Sequence, residues 1–237
     1  MRIHPENPFR LLNRLDYLIW GSSVLIVCAS FLLISGAGVL PLIASLIGVT
    51  ALIYMAKGHP YGQLLTIVFS LFYGVISFFF RYYGEMLTYL GMTLPMAALS
   101  LCAWLRNPYG KSRIVKIRQR LSMKLIVWMI LLTAAATAGF GWMLALLHTA
   151  NLPVSIISVT TSFLAAYLTA CRSPYYALAY AANDLVLIVL WILAARQDAS
   201  CIPMIACFSM FLVNDAYAFV SWRRRAGMQL SAQPDPE

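Results

Sequence analysis

The chain has 237 residues, of which 62% are hydrophobic and 11% charged, with a mean hydropathy of +0.79 and a formal net charge of +9. Soluble domains are about half apolar and about a quarter charged, so this composition excludes an ordinary soluble enzyme, a nucleic-acid binder and a disordered chain. Long apolar runs without period-two alternation also exclude a transmembrane β-barrel, leaving an all-α polytopic membrane protein.

In chain order, residues 1–16 form a polar, basic lead-in with no signal-peptide cleavage pattern, read as a retained cytoplasmic segment. Eight spans of about 20 residues follow, over 17–36, 38–56, 62–80, 86–105, 125–147, 153–171, 175–195 and 201–222. Gly36 and Gly38, Gly58-His59-Pro60 and Asn151-Leu152-Pro153 punctuate them. With the amino terminus in the cytoplasm, the inner segments hold every Lys and Arg except Arg81 and Arg196. That asymmetry predicts an even helix count with both termini inside.

The inner segment KSRIVKIRQR (111–120) alternates basic and apolar residues. It reads as a tether between two bundles, a short interfacial helix or loop on anionic headgroups. Residues 223–237 form a cytoplasmic tail, and its end, SAQPDPE, is expected to be disordered. Cys28, Cys102, Cys171, Cys201 and Cys207 are scattered through or beside apolar runs, in no metal-binding spacing, and read as reduced packing residues. No metal, cofactor or nucleotide motif and no enzyme signature is present, so the expectation is a non-enzyme with no cofactor and no nucleic-acid partner.

An internal repeat organises the spans. AKGHPYGQ (56–63) resembles ACRSPYYA (170–177), and CAWLRN (102–107) resembles VSWRRR (220–225). Pro60 and Pro174 are 114 residues apart, Trp104 and Trp222 118. Residues 37–105 and 148–222 are thus predicted to be two three-helix units of the same membrane direction. Residues 106–147 supply a basic loop and a linker helix, and span 17–36 is an extra helix.

Polar side chains inside spans need a reason. Stepping about 100° per residue along the seventh span from Tyr176 puts Tyr180, Asn183, Asp184 and Trp191 on one stripe about 100° wide. Aromatic faces, an amide and one carboxylate suit a flat, polar or cationic organic ligand. On the matching third span, Gln63, Thr66, Ser70 and Tyr73 share a milder stripe. Helix-to-helix bonding explains such residues as well. In the last span, Asn214 is counted with the site, and Asp215 either lines the inner half of the pathway or pairs with an arginine. Glu85 and Arg81 are assigned to the outer surface and His59 to a turn.

SLIGVTALIYMAKGHPYGQ, YYGEMLTYLGMTLPMAALSLCAWLRNP, SVTTSFLAAYLTACRSPYYALAYAANDLVLIVLWILA and FLVNDAYAFVSW together resemble the PnuC family, bacterial transporters of vitamin precursors such as nicotinamide riboside. The resemblance runs over about residues 40–222. It implies two parallel three-helix units around a linker helix, as in the SWEET sugar carriers, and a homotrimer in the inner membrane. It implies facilitated diffusion of a small vitamin precursor, which a cytoplasmic kinase then traps by phosphorylation. Many members carry Trp-x-x-Trp and a following Asn in the seventh span. Here Tyr176 and Ala179 stand at the tryptophan positions and Asn183 at the Asn, so one aromatic wall is missing. Relatives carrying thiamine, riboflavin or deoxynucleosides share the scaffold. A binding subunit that needs a separate ATPase, a proton-coupled carrier using Asp184 and a lipid-acting enzyme are the competing expectations.

Overall fold

The structure, a computed structural model, describes residues 11–34, 38–79, 83–110 and 112–232, apart from the side chains of Ile76 and Tyr83. Arg2, Arg10, Gly36, Arg81, Lys111, the Tyr83 ring and residues 233–237, most of the SAQPDPE end, lie outside it. The elements are α1 (Arg14–Leu33), α2 (Val39–Ala56), α3 (Tyr61–Phe79), α4 (Tyr83–Thr88), a π-helical turn (Tyr89–Thr93), α5 (Leu94–Leu105), α6 (Met123–Leu146), α7 (Leu152–Ala170), α8 (Tyr176–Ala195), a 3₁₀ turn (Ala199–Cys201) and α9 (Ile202–Ser231). Eight helical spans among the described residues are long and apolar enough to cross a bilayer, α4, the π turn and α5 forming one of them. The protein is an all-α multi-pass membrane protein.

Boundaries differ from expectation in three places. The fourth span is broken by the π turn because Pro95 lies inside it. Proline has no N–H, and its ring crowds the carbonyl four residues back; widening the turn before it relieves the clash. The last helix runs nine residues past Trp222, to Ser231. The basic segment is neither a helix nor a free loop. Lys116 N–H donates to Asn107 O and Tyr109 N–H to Ile114 O (both 2.8 Å), folding it into a strap. Gln229 on the extended α9 secures that strap, its side chain accepting from Ile117 N–H (2.8 Å) and donating to Val115 O (3.2 Å).

Helices α2 and α7 end alike. Each closes with a left-handed residue, Gly58 (φ 67°) and Arg172 (φ 60°). Gly58 N–H donates to Met55 O (2.8 Å) and His59 N–H to Tyr54 O (3.0 Å); Arg172 N–H donates to Thr169 O (2.9 Å) and Ser173 N–H to Leu168 O (3.0 Å). These are Schellman closures, which satisfy the orphan carbonyls of a last turn. Corresponding residues are 114 apart throughout.

The two ends are also fastened across. Trp104 at the end of α5 donates its indole N–H to Thr169 O (3.0 Å), and Trp222 on α9 donates to Met55 O (2.8 Å). Both rings are fully buried, with centroids 5.4 Å apart. The strap joins the same turns, through Val115 N–H to Gly58 O (2.9 Å) and Arg118 N–H to Arg172 O (3.0 Å).

Helix α1 packs on α2 and α9. Asn13 and Asp16 form its capping box. The fully buried Asp16 carboxylate also pairs with Lys57 and accepts from the Tyr217 hydroxyl. Burial lowers the Lys57 pKa, and Asp16 opposes that shift. Helix α6 lies against α7, where the Thr137 and Thr160 hydroxyls bond at 2.9 Å, and shows Trp128, Ile130 and Trp142 to the surroundings. In a bilayer such a face is ordinary lipid contact.

Candidate functional site

The fastened end leaves the opposite half of the bundle parted around a cavity of about 430 Å³. Its mouth is the turn between α6 and α7, with His148, Thr149 and Asn151 on the rim. From there it descends between α2, α3, α4, α7, α8 and α9 to Asp184 and Asp215. Below these acids, Met55, Trp104, Leu168, Tyr176 and Trp222 pack into one buried cluster that closes the fastened end.

Of the residues singled out from sequence, Thr66, Tyr73, Tyr180, Asn183, Asp184 and Trp191 lie on the cavity wall. Gln63, Ser70, Tyr176 and Asn214 are buried off it. Tyr176 packs edge-on against Trp222 with ring centroids 4.7 Å apart. Ser70 donates to Thr66 O on its own helix (2.8 Å). Asn214 turns toward α1, where its amide donates to Ser23 Oγ (2.9 Å). Tyr176 and Gln63 sit in the first turns of α8 and α3, at the fastened end, so sharing a face with the wall residues does not bring them to the cavity.

The wall is aromatic on one side. Tyr73 on α3 packs against Phe69 (5.5 Å) and Tyr89 of the π turn (4.5 Å), and Trp191 on α8 stacks on Phe208 (6.4 Å, 14°). The other side is polar. Asn183 accepts on its side-chain oxygen from Ser158 (3.3 Å) and Thr161 (2.8 Å) of α7. Both bonds use the carbonyl, so its two amide N–H groups stay available to a ligand.

Among the described residues, three acids line the cavity, Glu85, Asp184 and Asp215, and no Lys or Arg does. Glu85 stands on the wall, facing Tyr73, and not on the outer surface as expected. Asp215 lines the pathway and faces Asp184 instead of an arginine. Reading each helix alone missed Tyr89, Phe69 and Phe211. Glu85 and Tyr89 are four residues apart, and Phe208, Phe211 and Asp215 follow i, i+3, i+7 spacing, so both stripes were present as patterns. Among the described residues, no group of three or more His, Cys, Asp or Glu side chains is placed to hold a metal ion.

Residues 38–224 match the family described as nicotinamide mononucleotide transporter. A relative from Neisseria mucosa, named nicotinamide riboside transporter PnuC, is 21% identical over 187 residues, covering 77% of this chain and 71% of that protein. The crystal structure titled as that of the vitamin B3 transporter PnuC superposes with a TM-score of 0.77 at 18% identity, covering 92% of this chain and 94% of that one. That likeness establishes the shared fold.

Proposed function

The chain belongs to the nicotinamide mononucleotide transporter family, and from that premise we propose that it carries nicotinamide riboside across the bacterial cytoplasmic membrane by facilitated diffusion. The single observation that carries this reading is the charge of the cavity, three carboxyl groups with no Lys or Arg among the described residues. A phosphate ester brings about −1.5 to −2 charges at neutral pH, which Arg or Lys side chains commonly offset and neighbouring carboxylates oppose. The riboside has the same ring and sugar without the phosphate, and its pyridinium is a cation. The cavity therefore favours the cargo named for the Neisseria relative over the mononucleotide of the family description.

In this reading Tyr73, Tyr180 and Trp191 stack on the ring, with Tyr89 in place of the missing wall. Asn183 and Thr66 bond the amide or ribose, and Asp184 balances the pyridinium charge. Gln63, Ser70, Tyr176 and Asn214 act from behind the wall, fixing the helices that carry it. Residues 37–105 and 148–222 act as two parallel three-helix units that rock about the linker helix, and three copies assemble in the membrane. Both termini and the strap face the cytoplasm, so the cavity opens outward, and a cytoplasmic kinase traps the riboside after entry. The charge argument also admits thiamine, a cationic ring compound, as a second cargo, and disfavours riboflavin and deoxynucleosides.

The test is uptake of labelled nicotinamide riboside by sealed proteoliposomes without ATP or an ion gradient. The expected result is saturable entry that stops at equal concentrations, blocked by unlabelled riboside and unaffected by the mononucleotide. Inhibition by the mononucleotide as strong as by the riboside would overturn the charge argument. No entry without a further protein would replace the uniporter with a binding subunit.

A further inference from the structure

Asp184 of α8 and Asp215 of α9 are nearly inaccessible, at 3% and 2% exposure, and both line the inner end of the cavity. Their carboxyl groups lie within hydrogen-bonding reach of each other. Each also keeps one buried oxygen, Asp184 Oδ2 and Asp215 Oδ1, with no hydrogen-bond partner. Two such acids on facing helices, each with an unused acceptor, are more than helix packing requires.

Among the described residues, the groups around them offer no countercharge. Tyr176 and Tyr180 face them from α8, Cys207 from α9 and Tyr89 from the π turn. Glu85 on α4 shares the same cavity. Helix α7 presents Ser158, Ser162 and Ala166 to the cavity, and α2 presents Gly48, Ala51, Leu52 and Met55. On α1, Asp16 is already occupied by Lys57 and Tyr217. Two carboxylates at hydrogen-bonding distance with no cation beside them cannot both ionise; one keeps a proton and bonds the other, as in aspartic-protease dyads.

We propose that Asp184 and Asp215 act as one ligand-binding unit, a proton-sharing carboxyl pair that holds a single negative charge at the inner end of the cavity and takes a monocation there. This rests on the functional reading above only for the identity of the cargo. The pair sets the site's charge at one, so an occupied site is neutral at that end. Asp215 thereby becomes a specificity-determining residue in its own right.

A shared charge makes a pattern that two independent charges cannot. Binding of 1-methylnicotinamide, nicotinamide riboside and uncharged nicotinamide is measured by calorimetry on the full-length protein in detergent at neutral pH. Asp184→Asn and Asp215→Asn should each weaken cation binding by about three- to tenfold, because the remaining acid still supplies the charge. The double variant should weaken it about a thousandfold, well beyond the product of the singles. Nicotinamide binding should change far less than cation binding in every variant. In a Glu85→Gln background, which removes the cavity's other buried acid, an infrared band of a protonated carboxyl should be present at neutral pH and lost when Asp184→Asn or Asp215→Asn is added; this needs no ligand. A hundredfold loss in either single, or no protonated band in the Glu85→Gln background, would show two separate charges and overturn the pair. A double variant that binds 1-methylnicotinamide like the wild type, or a wild type that binds neither cation, would overturn it too. If 1-methylnicotinamide follows the pattern and the riboside does not bind, the pair stands and the proposed cargo falls.

Discussion

The two ends of the bundle are built on different terms. At the fastened end, side chains and strap reach across to main-chain carbonyls: Trp104 to Thr169, Trp222 to Met55, Val115 to Gly58 and Arg118 to Arg172. At the open end, the polar groups belong to a cavity, and Asp184 and Asp215 at its inner end each keep a buried oxygen without a partner. Main-chain acceptors are fixed by the fold whatever the side chain, so the closed end is held by bonds that substitution of the acceptor residue does not remove. The open end depends on particular side chains. Stability should therefore be most sensitive at the first and ligand affinity at the second.

The largest expected effect is at the fastened end. Lys57→Met takes the ion-pair partner from the buried Asp16, leaving it the Tyr217 hydroxyl and the charge of the neighbouring Arg225, and should cost about 3 kcal/mol, while adding Asp16→Asn recovers most of it. Thermal unfolding in detergent measures both; an unchanged melting temperature for the single variant would show that the pair does not hold α1. Next come Trp104→Phe and Trp222→Phe, which each remove the indole donor from a carbonyl that keeps its backbone bond (Arg172 N–H to Thr169 O, Gly58 N–H to Met55 O) and should cost about 0.5–1.5 kcal/mol. Because the rings touch, their effects should not add, and strict additivity in a double-mutant cycle would count against a shared fastening.

Asn183→Ala reverses the balance. The single Thr161 hydroxyl proton can turn to Ile157 O (2.9 Å) or Ser158 O (3.1 Å) instead, so stability should move by less than about 1 kcal/mol. Riboside affinity should fall about tenfold, as expected for one lost hydrogen-bonding group of about 1.4 kcal/mol. A large drop in melting temperature with unchanged affinity would place Asn183 among the structural residues. The smallest effect is Arg172→Gly. It removes a left-handed strain of about 1–2 kcal/mol but frees the unfolded chain, so the melting temperature should stay within a degree or two while Gly58→Arg lowers it clearly.

Much of the fold was legible because lipid imposes a coarse rule. An apolar run of sufficient length must be a helix, and eight could be read directly. The π turn was not read, although Pro95 marked it, because the span's hydropathy hides a local change of helical pitch. The stripe on α8 was legible from angle alone. Angle gives a face but not a depth, which is why Tyr176 and Gln63 pointed the right way at the wrong level. Glu85, Tyr89 and Asp215 needed a second helix in place before their faces acquired a meaning.

The strap has a consequence in the language of populations. A conformer that separates the α2–α3 and α7–α8 turns must break the two tryptophan bonds and one end of the strap. At about 1 kcal/mol net for each, these bonds alone hold that conformer about 3 kcal/mol above this one, a population of about one molecule in 150. The resting protein is therefore a strongly biased two-state device, and whatever enters the cavity must bind the rare state better than the common one before the balance can turn.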